Sequence, residues 1–93
     1  MKVMFDEEAL EDLQTILAWI AKDDLSAAKR LLVRIFDKVE RLSTPELARM
    51  GRFGRDPGTH ELLEGPYIIV YEIHEHRGEI VVLSIVHGAG ERG

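Results

Sequence analysis

Ninety-three residues, 45% of them hydrophobic and 31% charged, are enough for one domain around one core and too ordered in composition for a disordered chain. The absence of cysteine excludes a disulfide framework and a thiolate centre. No apolar run approaches the ~18 residues of a membrane span, and the opening MKVMFDEEAL lacks the apolar stretch of a secretion signal, so a single cytoplasmic domain over residues 1–93 without membrane contact is expected.

Lys2-Val3-Met4-Phe5 reads as a short strand with Val3 and Phe5 on one face. Asp6 is placed to cap a helix whose first turn holds Glu7 and Glu8, where negative charge suits the helix dipole. Leu10, Leu13, Ile16, Leu17 and Ile20 recur at three- and four-residue steps and predict one apolar stripe to about residue 22. Asp24 caps the next helix, with a longer stripe of Ala28, Leu31, Leu32, Ile35, Phe36, Val39 and Leu42. The link Lys22-Asp23-Asp24 is so short that the two helices must form an antiparallel hairpin, and both stripes are expected in the core. Ser43-Thr44-Pro45 ends the second helix, and residues 46–58, with three glycines, Pro57 and no sustained period, read as loop.

Thr59 to Leu63 is a modest strand; Tyr67 to Ile73 and Glu79 to Val86 are stronger, rich in β-branched and aromatic residues. The last two are apolar at odd and even positions alike, as in strands inside a sheet. The last strand therefore needs a second neighbour, and Lys2 to Phe5 is the one strand left for it. The expected fold is α+β: an N-terminal strand, a helix hairpin and a three-strand meander, forming a four-stranded, mostly antiparallel sheet with the hairpin on one face. Lys2–Phe5 and Thr59–Leu63 would be its edges.

Charge is unevenly spread. From Lys29 to Arg55 eight basic residues stand against Asp37, Glu40 and Glu46, a surplus of five in a chain whose net charge is −5. An anionic partner for this segment is one reading, and a solvated helix face beside a loop is the other. No carboxylate pair is placed for acid–base work. His74 and His76 flank Glu75 at a hairpin tip; H-x-H could hold a metal if a carboxylate or a third histidine converged, but a tip of this kind is usually exposed and reads as solvated loop. GRFGRDPG follows no strand and lacks the Lys-Ser/Thr of a phosphate loop, although Arg49, Arg52 and Arg55 have the forks to grip phosphate or carboxylate. His60-Glu61 and His87 lie near sheet ends, where an imidazole could titrate or donate a hydrogen bond near neutral pH; the other reading is that His60 decorates an edge strand and His87 is partly buried on a backbone hydrogen bond.

EALEDLQTILAWIAKDDLSAAKRLLVRIFDKVERLS resembles the N-terminal half of the RelE/ParE toxin superfamily of type II toxin–antitoxin systems. PGTHELLEGPYIIVYEI followed by IVVLSIVHGAGER resembles its C-terminal half, especially the ParE-like plasmid-stabilisation branch. The likeness spans nearly the whole chain, and it implies the same RelE-like fold. Two departures stand out: His60 occupies a position where many relatives carry arginine, and Gly90 follows His87-Gly88-Ala89 where arginine is usual, with Arg92 two places on.

The RelE-like members are ribosome-dependent mRNA nucleases. Their basic residue after the third-strand tyrosine corresponds to Ile68, their late arginine to Gly90, and no tyrosine follows Tyr71 to match their C-terminal one. RNA cleavage needs a proton-transfer group and a cation for the developing charge, and those positions are not filled. An acidic chain also fits a polyanionic target poorly.

The resemblance thus implies a ParE-like toxin that binds a protein, DNA gyrase in characterised relatives. Its expected partner is a cognate antitoxin with a ribbon-helix-helix N-terminus and a tail that folds on binding. No catalytic residue, cofactor, metal or sequence-specific nucleic-acid contact is expected. The alternatives are an mRNA endonuclease and a toxin fold that has lost toxicity. His60, Glu61, His87 and Arg92 are the expected target-binding residues; Arg30, Arg34, Arg41, Arg52 and Arg55 are those expected to meet the antitoxin. The His87-Gly88-Ala89 ending reads as a docking edge, where small residues let the chain leave the sheet and a partner come close.

Overall fold

In the computed structural model, residues 1–44, 48 and 51–88 are described. Two helices and a five-stranded sheet form in the order β1 (Lys2–Phe5), α1 (Glu7–Ala21), α2 (Leu25–Arg41), β2 (Arg52–Phe53), β3 (Thr59–Glu64), β4 (Tyr67–His74) and β5 (Glu79–His87). Both caps form: the Asp6 side chain accepts from the Glu7 N–H, and the Asp24 carboxylate accepts from the Ala27 N–H at 3.0 Å.

The sheet order is β1-β5-β4-β3-β2. β1 runs parallel to β5, Val3 opposite Ile80, while the other pairs are antiparallel. The N-terminal strand lies beside the C-terminal one, as expected. The strand count does not match: Arg52–Phe53, read as loop, pairs with Glu61 and His60 as a fifth strand. One physical reason is a turn that two runs of apolar residues cannot reveal. The Gly54 N–H donates to the Thr59 carbonyl at 2.8 Å and the Thr59 hydroxyl to the Asp56 carbonyl at 2.6 Å. A Cβ on Gly54 would lie 2.0 Å from the Thr59 Oγ1, so this position must be glycine. GRFGRDPG is therefore largely the connection of a small hairpin, and the first half of β3 is no longer an edge.

The register of β4 against β5 slips between Val70 and Tyr71, which leaves Leu83 as the extra residue of a bulge in β5. Alternation then places Tyr67, Ile69, Tyr71 and Ile73 toward the helices. Ile35, Ile69, Tyr71, Ile80 and Val82 are completely buried there, with Leu13, Leu31, Val39, Leu42 and Ile85 around them. Not every residue of the predicted stripes is core: Leu10 and Phe36 stay exposed, and Leu32 is only partly covered.

Candidate functional site

Two surfaces stand out, one on each side of the molecule. The first is a groove of about 480 Å³ on the sheet face turned away from the helices, with Ile68, Val70, Ser84 and Val86 as its floor and Arg52, Arg55 and Glu61 among its walls. Its geometry follows from alternation along the strands. Thr59 and Glu61 of β3 point to this face, and Arg52, opposite Glu61 in the β2–β3 register, pairs with it at 2.8 Å between Nε and Oε1. Two residues expected to serve different partners, Arg52 and Glu61, are thus brought into one contact.

His60 is not part of this groove. It lies opposite Tyr71 in the register and shares that residue's helix-side face, stacked on the Tyr71 ring with centroids 5.4 Å apart and flanked by Phe53 at 5.8 Å. Its Nδ1 is buried without a hydrogen-bond partner. Tyr71 anchors this stack: its hydroxyl donates to the Ala48 carbonyl at 2.7 Å. Burial pushes that hydroxyl above its usual range, while a hydrogen bond from the Gly51 backbone pulls the other way. A Cβ on Gly51 would stand 2.3 Å from the Tyr71 Oη, so the chain can wrap the phenol only with glycine there.

His87, at the end of β5, lies edge-on to Tyr67 with centroids 5.6 Å apart, also on the helix side. The Gly88 N–H donates to the Pro66 carbonyl at 2.7 Å, and a Cβ at Gly88 would meet that oxygen at 3.2 Å. The small residue after His87 thus lets the chain close on the β3–β4 turn. Arg92 lies outside the described residues, as does Arg49.

The second surface is the outer side of the helix hairpin. A shallow apolar groove of about 260 Å³ runs between α1 and α2, lined by Leu17, Ala18, Ala21, Leu25, Ala28 and Leu32, with Lys29 at its margin. Around it Leu25 and Val33 are each 58% exposed and Trp19 is 72% exposed. Sequence reading missed the tryptophan, and the signal for it is an apolar residue that falls off the 13, 16, 17, 20 stripe. Lys22 sits over its ring at 5.7 Å. Arg30, Arg34 and Arg41 lie on α2 and are exposed, away from Arg52 and Arg55, so the residues expected to meet the antitoxin divide between two surfaces.

His60 and His87, expected to bind the target, turn away from the open groove, where the Glu61 carboxylate is paired with Arg52. Among the described residues, no group of three His, Cys, Asp or Glu side chains is placed to hold a metal ion, and no helix is long and apolar enough to cross a membrane.

Comparison with known proteins gives concordant matches. Residues 3–91 match the family described as ParE toxin of type II toxin-antitoxin system, parDE. The chain is 36% identical over 88 residues to "Putative toxin Y4kP" of Sinorhizobium fredii (strain NBRC 101917 / NGR234), covering 92% of this chain and 86% of that protein. Its fold is similar to a chain of the chromosomal ParDE system from P. aeruginosa, with a TM-score of 0.79 at 23% identity over 94% of this chain and 95% of that one. It is similar also to the isolated E. coli RelE toxin, with a TM-score of 0.59 at 19% identity over 98% and 96% of the two chains.

Proposed function

The chain belongs to the ParE toxin family of type II toxin–antitoxin systems, and from that premise we propose that it arrests growth by binding a protein target, with DNA gyrase the first candidate, and is neutralised by a cognate antitoxin. The observation that carries this reading over RNA cleavage is the make-up of the open groove. Its floor is Ile68, Val70 and Val86 with Ser84 as the one polar residue, and Ile68 is buried where a nuclease of this fold carries a basic residue. An apolar floor walled by arginines, next to an 88% exposed Phe53, suits a protein surface, since aromatic and arginine side chains dominate such contacts.

The antitoxin reading is supported by the hairpin. A groove lined by leucine and alanine between two helices fits the apolar face of a third helix, the helix-in-groove mode of peptide recognition. An antitoxin tail that folds on binding would supply that helix, and the exposed Leu25, Val33 and Trp19 would be covered with it.

Induced expression in a bacterium separates the possibilities. Arrest of growth with a DNA-damage response and intact transcripts is the expected result. Cut transcripts without that response would favour the endonuclease reading, and unimpeded growth would favour a fold that has lost its toxicity.

A further inference from the structure

Arg30, Arg34, Lys38 and Arg41 follow one another on α2 at steps of four, four and three residues. Their side chains therefore leave one side of the helix at intervals of about 6 Å along its axis. Arg30 and Arg41 are exposed, and the Arg34 side chain is 53% exposed. One carboxylate is already ion-paired in this row. Glu64, the last residue of β3, accepts from the Arg34 Nε at 3.1 Å through Oε2, and its Oε1 lies 3.4 Å from the Lys38 Nζ. Lys38 is further committed to the Leu63 carbonyl. Among the described residues no carboxylate forms an ion pair with Arg30 or Arg41; Asp37, three residues after Arg34 and four before Arg41, lies on the same side of the helix, so four cations stand against two carboxylates.

We propose that this row is a docking surface for an acidic segment of a protein partner, with carboxylates about one helical turn apart, and that Glu64 is the resident carboxylate with which the segment competes. Charge complementarity supports it: a guanidinium grips a carboxylate through two N–H groups, and Glu64 engages Arg34 through its Nε alone, leaving the terminal nitrogens to an incoming acid. A nucleic acid is the poorer occupant. Its long run of phosphates would meet a chain of net charge −5, with Glu64 inside the binding row. That the partner is the antitoxin rests on the function proposed above; the chemistry of the surface does not.

The test is fluorescence anisotropy on the full chain at low ionic strength, with labelled decaglutamate and labelled ten-residue oligodeoxythymidylate as probes. Decaglutamate is expected to bind with an affinity that falls as salt rises. The pair Arg30→Glu and Arg41→Glu should weaken it about tenfold or more, since each exposed pair is lost and replaced by repulsion. Glu64→Gln should tighten binding severalfold by releasing Arg34 and Lys38, a gain that damage to the fold would not produce. Should the charge-reversed chain fail to fold by circular dichroism, Arg30→Gln with Arg41→Gln gives the same readout with a smaller loss. No decaglutamate binding, binding indifferent to these changes, or preference for the oligonucleotide would each overturn the proposal. Growth arrest on expression is read separately: a toxic chain that ignores decaglutamate sinks the docking row alone, and a binding chain that leaves growth untouched sinks the function alone.

Discussion

Asp12 places a carboxylate on the buried side of an amphipathic helix, and its role is visible only in three dimensions. β1 pairs with β5 as far as Val82, and beyond that point no strand of the described residues lies beside the outer edge of β5. Asp12 reaches this edge, and its Oδ2 accepts from the Ile85 N–H at 2.9 Å, just past the bulge at Leu83. Asp12→Ala strands that amide and should cost about 1–3 kcal/mol in urea unfolding, while Asp12→Asn, which keeps an acceptor, should cost clearly less. Equal stability of wild type and Asp12→Ala would show that the bond contributes nothing. Tyr71 offers a pH-linked test. Its hydroxyl titrates above the ordinary tyrosine value in the folded state, so the proton is held more tightly there than in the unfolded chain. The stability this confers is complete below the unfolded pKa of about 10 and is lost as pH rises through the folded value. Unfolding free energies of wild type should fall through that window, and those of Tyr71→Phe should fall less. Neither role was legible in the sequence, because each depends on where another strand or loop ends; the helix caps Asp6 and Asp24 were, because a cap acts within three residues.

At the scale of elements, periodicity located both helices and four strands but could not say which face of a stripe the sheet would cover. Ile35 and Leu32 read alike in the sequence. The first is fully buried, and the second lines the outer groove. Ile35→Ala should therefore cost about 2–5 kcal/mol through the cavity it leaves. Leu32→Ala should cost less and act chiefly on antitoxin affinity; matching losses of stability in thermal unfolding would contradict that division. The two-residue β2 escaped notice because its pairing is set by the Thr59-centred turn and not by any alternation of its own. Its presence changes where a partner strand can add. The first half of β3 is paired, and the second half has its Leu63 carbonyl taken by Lys38, a lysine guard of the kind that blunts edge pairing. Of the two outer strands, β2 is only two residues long, and β1, with four, is the longer edge left for pairing. On antitoxin binding the outward amides of β1 should gain hydrogen-exchange protection and those of Leu62–Glu64 should not; the reverse pattern would move strand addition to β3.

The whole molecule divides its surfaces between its two sides. The sheet face opposite the helices presents an apolar floor with Arg52 and Glu61 joined above it, and the hairpin presents an apolar groove with a basic row along α2. The surplus of basic residues between Lys29 and Arg55 was plain in the sequence, but its split between α2 and the β2 hairpin was not, since both lie in one continuous segment. His60 shows the same limit: its neighbour Glu61 reaches the open groove, and the one-residue step of a strand sends the imidazole to the other side. The central claim is that this ParE-family chain acts on a protein and not by cutting RNA. Incubating the purified chain with DNA gyrase, ATP and relaxed plasmid, in parallel with ribosomes carrying a defined mRNA, addresses it most directly. Loss of supercoiling with the transcript intact is the predicted result, and a cleaved transcript with gyrase unaffected would contradict it.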